Sequence, residues 1–293
     1  MLYLLEKILI GESQKDNSFL SWLPIELIII IANIANMMLL IEKYGKLAPN
    51  YAALMGSKVV LCLLKEDGYD LGQADIGGQT PAHLAAKNGH IGCLRILKNA
   101  GCDLGEANIY GVTAASVASQ KGHVECLRLL QEHGCDLEKE DDEGVTPAYW
   151  AACFGNESCL QLLLEADCNL DELDIDGYTC SHMAAANGHE GCLRLLKKAG
   201  CNLEQANTDG ETPLFLAAVN GHVNCLKFLQ EIGCDLKIVD NSGRNAAHWA
   251  GIRGHKDCLR LLKDAGCKIF QIDDDETPKG DEFELYMKCL PYL

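Results

Sequence analysis

The stretch GETPLFLAAVNGHVNCLKFLQEIGCDL, residues 210–236, contains the start and end signals of two consecutive helices. Thr212-Pro213 starts the first helix, because threonine can cap a helix and proline is tolerated at its first position. Gly221 ends that small-residue helix in a tight turn. The longer helix that follows is closed by Gly-Cys-Asp-Leu. The stretch therefore predicts a helix-turn-helix unit.

The same unit recurs along the chain with a period of 33 residues. The Gly-x-Thr-Pro start, the Gly-His step and the closing Gly-Cys-Asp-Leu return in one register, with few departures. A fixed period of this length indicates a repeat architecture, in which stacking buries the faces that no single unit can bury. The glycines that open the units are Gly78, Gly111, Gly144, Gly177, Gly210 and Gly243.

These motifs resemble the ankyrin repeat, whose pattern is D-x-x-G-x-T-P-L-H-x-A-A, then G-H, then a second helix closed by G-A-D. The resemblance implies an all-α ankyrin-repeat solenoid in which each repeat is a helix-turn-helix plus a β-turn finger. A weaker copy at 42–74 precedes the full ones, and an apolar helix is expected within 1–41. A partial repeat and a capping helix with Phe283, Tyr286, Met287 and Leu290 on one side are expected in 273–293. The six full repeats are 75–107, 108–140, 141–173, 174–206, 207–239 and 240–272.

The net charge of the chain indicates the kind of partner, and its cysteines indicate the cellular compartment. Forty-two acidic residues against 25 Lys and Arg leave a formal net charge of −17, which disfavours nucleic acid and anionic lipid. We expect a protein partner with a basic or mixed surface. Sixteen cysteines without a recognisable secretory signal predict a reducing, cytoplasmic compartment.

The histidines and cysteines of the repeats raise the question of a metal site, because His90 stands three residues before Cys93. Both recur with the repeat, however, and no further pair supplies the remaining ligands. A free thiol behaves as a small apolar side chain, so we interpret the cysteines as core residues. No metal and no cofactor are expected. In the family that the chain resembles, the first-helix histidine, here His83, His182 and His248, hydrogen-bonds within and between repeats.

No catalytic signature is present: the sequence lacks a nucleophile elbow, a phosphate-binding loop, a dinucleotide fingerprint and a zinc-protease motif. We therefore expect a non-enzymatic, monomeric scaffold with no catalytic residues. The resemblance implies that a partner protein binds the concave groove and the finger tips, which vary from copy to copy. Aromatic side chains dominate binding hot spots, and acidic ones steer basic partners. The predicted partner-binding residues are Tyr110, Val112, Asp142, Glu143, Phe154, Asp176, Tyr178, Asp209, Glu211, Arg244 and Arg253.

Residues 19–31, FLSWLPIELIIII, resemble the opening of an F-box, the domain that docks onto the adaptor of a cullin ubiquitin ligase. The resemblance implies a substrate receptor that contacts the ligase adaptor through Leu23, Pro24, Glu26 and Leu27. The interpretation that we favour for this segment is an apolar helix that caps the open end of the solenoid, with the ligase receptor as the alternative. A membrane role is not expected, because the apolar run 25–41 contains Glu26 and two asparagines and only reaches the lower limit of a span.

The acidic tail DDDETPKGDEFE followed by LPYL resembles the C-terminal export signals of some type IV secreted bacterial effectors. This resemblance implies a secreted effector that acts in the cytosol of a host cell.

Overall fold

A computed structural model describes residues 25–267. The predicted C-terminal partial repeat and capping helix lie outside these residues, as do Leu23 and Pro24. Within the described range the secondary structure consists of fifteen α-helices and one short 3-10 helix, Gly45–Leu47. Isolated antiparallel bridges join Ala107 to Thr113 and Val239 to Asn245. This part of the chain contains no β-strand, which confirms the predicted all-α class.

Pairs of short helices recur at the spacing that the sequence predicts. The helices are α1 (Ile25–Tyr44), α2 (Ala48–Leu54), α3 (Lys58–Glu66), α4 (Pro81–Lys87), α5 (Ile91–Asn99), α6 (Ala114–Lys121), α7 (Val124–Glu132), α8 (Pro147–Cys153), α9 (Glu157–Glu165), α10 (Cys180–Ala186), α11 (Glu190–Ala199), α12 (Pro213–Val219), α13 (Val223–Glu231), α14 (Ala246–Arg253) and α15 (Lys256–Asp264).

Local capping sets the start of the first helix α8. Thr146 has extended backbone angles, and its hydroxyl accepts a hydrogen bond from the Tyr149 N–H at 3.2 Å. Pro147 follows at the first helical position, where its missing N–H is not needed. These contacts confirm the predicted helix start at Thr-Pro.

Gly188, the turn glycine after α10, has two reasons to be glycine. Gly188 has φ +80°, a left-handed conformation that side chains disfavour. A Cβ atom added there would also lie 2.6 Å from Nδ1 of His222. The turn therefore packs against the histidine of the following repeat, and both backbone and contact exclude a side chain.

The contacts divide the chain into two compact units. Of the described residues, the first unit comprises 25–115 together with 125–135, and the second comprises 116–124 together with 136–267.

In the first unit, α1 packs against α2 and α3, and Tyr44 stacks on Tyr51. None of the described α1 side chains is buried, and Ile29, Met38 and Leu39 are exposed. Because α1 ends at Tyr44, its last turn lies in the segment assigned to the weak repeat. Of the helices in 25–267, none is long and apolar enough to cross a membrane.

The rest of the first unit follows the repeat pattern. Helix α2 packs against α4, and α3 packs against α5. The core between them includes Leu61, Leu64, Leu94 and Leu97, all fully buried. Each such leucine contributes about 1.5–3 kcal/mol of hydrophobic stabilisation.

In the second unit, the first helices α8, α10, α12 and α14 contact one another in order. The second helices α9, α11, α13 and α15 do the same. Fully buried leucines, among them Leu160, Leu193 and Leu226, form the core between the two layers.

The two sets of repeated cysteines differ in burial. The six in the second helices are fully buried, as the sequence predicts, and burial raises the pKa of Cys93 to about 11 and of Cys192 to about 12. Those of the closing Gly-Cys motif were expected in the core as well. Except for Cys267 they are only half-buried, because each lies beside the loop that leads to the next finger. All cysteines in the described range are free thiols.

Candidate functional site

Each finger is held by one Asp or Asn side chain at its base. In Asp174 the carboxylate oxygen Oδ1 accepts hydrogen bonds from the N–H groups of Asp176, at 3.0 Å, and Tyr178, at 2.8 Å. Asp141 accepts the equivalent pair from Glu143 and Val145. Such side-chain bonds replace the backbone partners that a tight turn lacks, so the finger tips have a defined conformation.

Successive fingers of the second unit are joined by backbone hydrogen bonds. The N–H of Ile175 donates to the Glu143 carbonyl at 3.1 Å, and that of Thr208 donates to the Asp176 carbonyl at 3.1 Å. The N–H of Asn241 donates to the Asp209 carbonyl at 2.9 Å. The fingers therefore form a connected row with a regular step.

This step aligns three carboxylates that the sequence predicts as partner contacts. Glu143, Asp176 and Asp209 occupy the same position of three successive fingers, and all three are exposed. Within residues 25–267 none of them forms an ion pair. We call these three residues the acidic row. Asp142, also predicted, is exposed at the tip of the first of these fingers.

An aromatic cluster lies on α8 and the turn after it. Phe154 is 49% exposed and lies 5.9 Å, centroid to centroid, from the half-buried Trp150 one helical turn earlier. The ammonium of Lys121 lies 5.9 Å from the Phe154 ring, within range of a cation–π interaction. The predicted contact Phe154 is thus part of a surface that contains a large apolar area and one positive charge.

Tyr149 connects this helix to the next finger. Its hydroxyl donates a hydrogen bond to Oδ2 of Asp174 at 2.8 Å. Burial and this carboxylate raise the pKa of Tyr149 well above its ordinary value, so it stays protonated and keeps donating. Tyr149 replaces the histidine of the repeat pattern, and its role could not be predicted from local motifs because its partner lies 25 residues away.

Trp150 belongs to a set of apolar residues at one position of the first helices. The tryptophans at this position, Trp150 and Trp249, are half-buried. A periodic comparison of the copies would have found this set. It consists of Val117, Trp150, Met183, Leu216 and Trp249, and we call it the apolar stripe; of its members only Leu216 is buried, at 8% exposure.

The first-helix histidines link neighbouring repeats, as the family resemblance implies. Nδ1 of His182 accepts a hydrogen bond from the Thr179 N–H at 3.0 Å, and Nε2–H donates to the Glu211 carbonyl at 3.1 Å. Both bonds need the neutral ring with its proton on Nε2. Burial lowers the pKa of His182 to about 4, and it also lowers that of the equivalent His83.

Several predicted contacts are engaged within the protein itself. The Tyr178 hydroxyl donates to the Glu211 carboxylate at 3.4 Å, and both side chains are half-buried. The Arg244 guanidinium lies 4.3 Å from the Trp249 ring centroid and pairs with Asp240 at 3.4 Å. The side chains of Tyr178, Glu211 and Arg244 are therefore held in place by contacts within the protein.

The Asp240 carboxylate is held in its charged form. Burial alone would raise its pKa, but hydrogen bonds from the Trp249 indole and from the N–H groups of Arg244 and Ser242 lower the pKa of Asp240 below its ordinary value. Arg253, at the end of the same helix as Trp249, is exposed.

In the first unit, Tyr110 is 64% exposed at a finger tip. Val112 is half-buried, and its carbonyl accepts a hydrogen bond from Nε2 of His83 at 2.9 Å. Ile76 and Ile109, at the tips of neighbouring fingers, are exposed apolar side chains that the predicted set omitted.

The predicted contacts with a ligase adaptor fall largely outside the described residues. Leu23 and Pro24 precede them, and Glu26 and Leu27 lie in the first turn of α1. Between residues 25 and 267, no group of three or more His, Cys, Asp or Glu side chains is arranged to hold a metal ion.

Comparison with known proteins agrees with this geometry. The family model described as "Ankyrin repeats (3 copies)" matches residues 50–141, 135–207 and 182–273. The crystal structure of the human ASB11 ankyrin repeat domain is similar in fold, with a TM-score of 0.67 at 23% sequence identity, over 73% of this chain and 96% of that one. The search of curated proteins found no match.

Proposed function

The chain belongs to the ankyrin repeat family, and from this premise we propose that it is a non-enzymatic scaffold whose second unit grips a partner protein of basic or mixed surface. The family supports a role in protein–protein interaction. The observation that carries the finer proposal is the juxtaposition of the aromatic cluster on α8 with the acidic row, whose first finger precedes α8 and whose other two fingers follow it.

The aromatic cluster supplies the kind of surface on which binding energy concentrates. Trp and Tyr are enriched among binding hot spots, and truncation of such a residue costs about 2 kcal/mol or more, roughly 30-fold in Kd. The unpaired acidic row adds long-range attraction, which accelerates association with a basic partner. Neither arrangement is required for stacking the repeats.

The test is capture of partners by the full chain, followed by affinity measurement with the purified partner. We expect Phe154→Ala to weaken binding by roughly 30-fold. Met55→Ala, which removes an exposed apolar side chain from the first unit, is the matched control and should leave binding unchanged. Equal affinity of the wild type and Phe154→Ala for every captured partner would refute the proposal.

A second candidate function, the substrate receptor of a cullin ubiquitin ligase, is favoured by one observation. Helix α1 is rich in apolar residues, yet Ile29, Met38 and Leu39 are exposed although it packs on the first repeat. An apolar surface of this kind is typical of a docking site. Titration of the purified ligase adaptor decides the matter: the wild type should bind, and a Leu23→Ala/Pro24→Ala variant should not. Absence of binding by the wild type would leave α1 as a cap.

We further propose that the protein works in a cytoplasmic, reducing compartment. The fully buried second-helix cysteines support this, because they fill core positions as thiols. Fractionation of the producing cells, with alkylation of thiols at lysis, tests it. Protein recovered from an oxidising compartment with its cysteines paired would contradict the proposal.

A further inference from the structure

We infer that the second unit selects a partner segment in which a basic and an apolar side chain each recur at every third residue, lying extended across the repeats. This inference rests on the proposed scaffold function and specifies the chemistry of the segment bound. It follows from the spacing of the apolar stripe and the acidic row.

The apolar stripe forms the floor of the surface. Trp150, Met183, Leu216 and Trp249 lie at equivalent positions of α8, α10, α12 and α14, which pack side by side in that order. Packed helices are separated by about 8–10 Å, so apolar side chains recur along the stripe at this interval. Trp150, Met183 and Trp249 remain half-exposed, and Phe154 extends the apolar area beside the Trp150 ring.

The acidic row runs at the start of the same helices with the same interval. From Glu143 the backbone passes through one hydrogen bond of 3.1 Å to Ile175, and Asp176 is the next residue. If this hydrogen-bonded pair is spaced as in a β-ladder, the path from Glu143 to Asp176 is at most about 9 Å, and because both residues occupy equivalent positions of stacked repeats their spacing follows the roughly 8–10 Å between packed helices. The same path joins Asp176 to Asp209 through Thr208.

The Tyr149 hydrogen bond fixes the two rows to each other. It joins α8, which carries Trp150, to Asp174 at the base of the finger that carries Asp176. At this repeat an apolar edge therefore lies beside a negatively charged edge, and the arrangement recurs because the members of both rows occupy equivalent positions of successive repeats. The charge of the row determines that the partner's matching edge is basic.

One backbone conformation fits both intervals. A polyproline II segment has three residues per turn and rises about 3.1 Å per residue, so residues i and i+3 lie on one edge about 9.3 Å apart. A β-strand turns every third side chain to the opposite face. An α-helix places further side chains on the same face about every 5.4 Å, an interval that neither the apolar stripe nor the acidic row repeats. A period of three residues is thus the one that the surface selects.

The test measures binding of designed peptides to the full-length protein by fluorescence anisotropy. The probe is a peptide of repeated Arg-Pro-Leu. The comparisons are a scrambled peptide of the same composition and a helical peptide with Arg and Leu at seven-residue intervals. We expect the Arg-Pro-Leu repeat peptide to bind at least about 10-fold tighter than the scrambled or the helical peptide. Only this peptide pairs each Arg with one carboxylate of the acidic row while each Leu packs on the apolar stripe.

Charge variants test the contribution of the acidic row. The variant Glu143→Gln/Asp176→Asn/Asp209→Asn should bind the Arg-Pro-Leu repeat peptide at least about 10-fold more weakly than the wild type. The salt dependence of that binding should also decrease. The matched control, Glu132→Gln/Glu165→Gln/Glu231→Gln, removes the same charge from the ends of second helices and should retain the wild-type affinity.

The outcomes separate this inference from the proposed function. Equal binding of the scrambled peptide would show attraction by net charge alone and would overturn the inference, as would tighter binding of the helical peptide. Equal weakening by both triple variants would overturn it too. If no peptide binds while a captured partner still distinguishes the wild type from Phe154→Ala, the scaffold proposal stands and the period-three inference is wrong.

Discussion

Acidification should destabilise the protein through His182. In the folded state this buried ring is neutral, with its pKa lowered to about 4, whereas the ordinary value is 6.5. The folded state therefore binds fewer protons than the unfolded state in this window. The stabilisation is complete above pH 6.5, declines as the pH falls, and is lost at about pH 4.

The lowering of the His182 pKa from 6.5 to about 4 corresponds to about 3.4 kcal/mol of stability. Summing the titration of both states, about 2 kcal/mol of it is lost between pH 7.5 and pH 5. His83 adds to the loss in the same direction, because its pKa is also lowered by burial.

The assay is urea denaturation at pH 7.5 and pH 5, with wild-type protein and His182→Phe. Phenylalanine is suitable because Phe215 occupies the equivalent position of the next repeat and is buried there. The wild type should lose about 2 kcal/mol more of its free energy of unfolding than the variant on acidification. His133→Phe, at an exposed site, is the matched control. If His182→Phe loses as much stability as the wild type on acidification, the reasoning from the buried neutral ring is wrong.

Three further predictions concern the contacts between repeats and the core. Tyr149→Phe removes a hydrogen bond to a carboxylate and should lower the free energy of unfolding by about 1.5–3 kcal/mol, whereas Tyr110→Phe, at an exposed tip, should leave it unchanged. Gly188→Ala combines an unfavourable φ with a clash against the next repeat's histidine. It should therefore destabilise by at least about 1 kcal/mol more than Gly200→Ala, where the φ is similar but no atom is near; equal losses would contradict the close packing of the turn. In native protein treated with iodoacetamide, the exposed Cys62 should be alkylated before the six buried cysteines of the full repeats' second helices, because burial raises the pKa of those thiols and blocks access to them. Peptide mass spectrometry measures the order, and simultaneous labelling would show that the core opens.

The helices and their turns were predictable because their causes are local. Thr146 and Pro147 define a helix start through bonds and angles within four residues. Gly188 marks the turn because φ at that one residue must be positive. The family membership follows from the same local motifs repeated in register, which is why the pattern predicted the fold without reference to long-range contacts.

The site was predictable only in part. The exposure of Phe154 and of the acidic residues at the finger tips follows from their position in a repeat. The internal engagement of Tyr178 with Glu211 does not, because the two residues lie 33 positions apart and meet only when repeats stack.

The sequence by itself determined that the chain forms stacked helix pairs, where those pairs begin and end, and that its surface is acidic. The tertiary structure decided which side chains the stacking covers. It left Trp150 and Trp249 half-exposed in one stripe, joined Tyr149 to a finger, and kept the second set of cysteines at the edge of the core. The physical reason is that burial and pairing at these positions depend on the surface of the neighbouring repeat, about one period away, and not on the residues beside them in the chain.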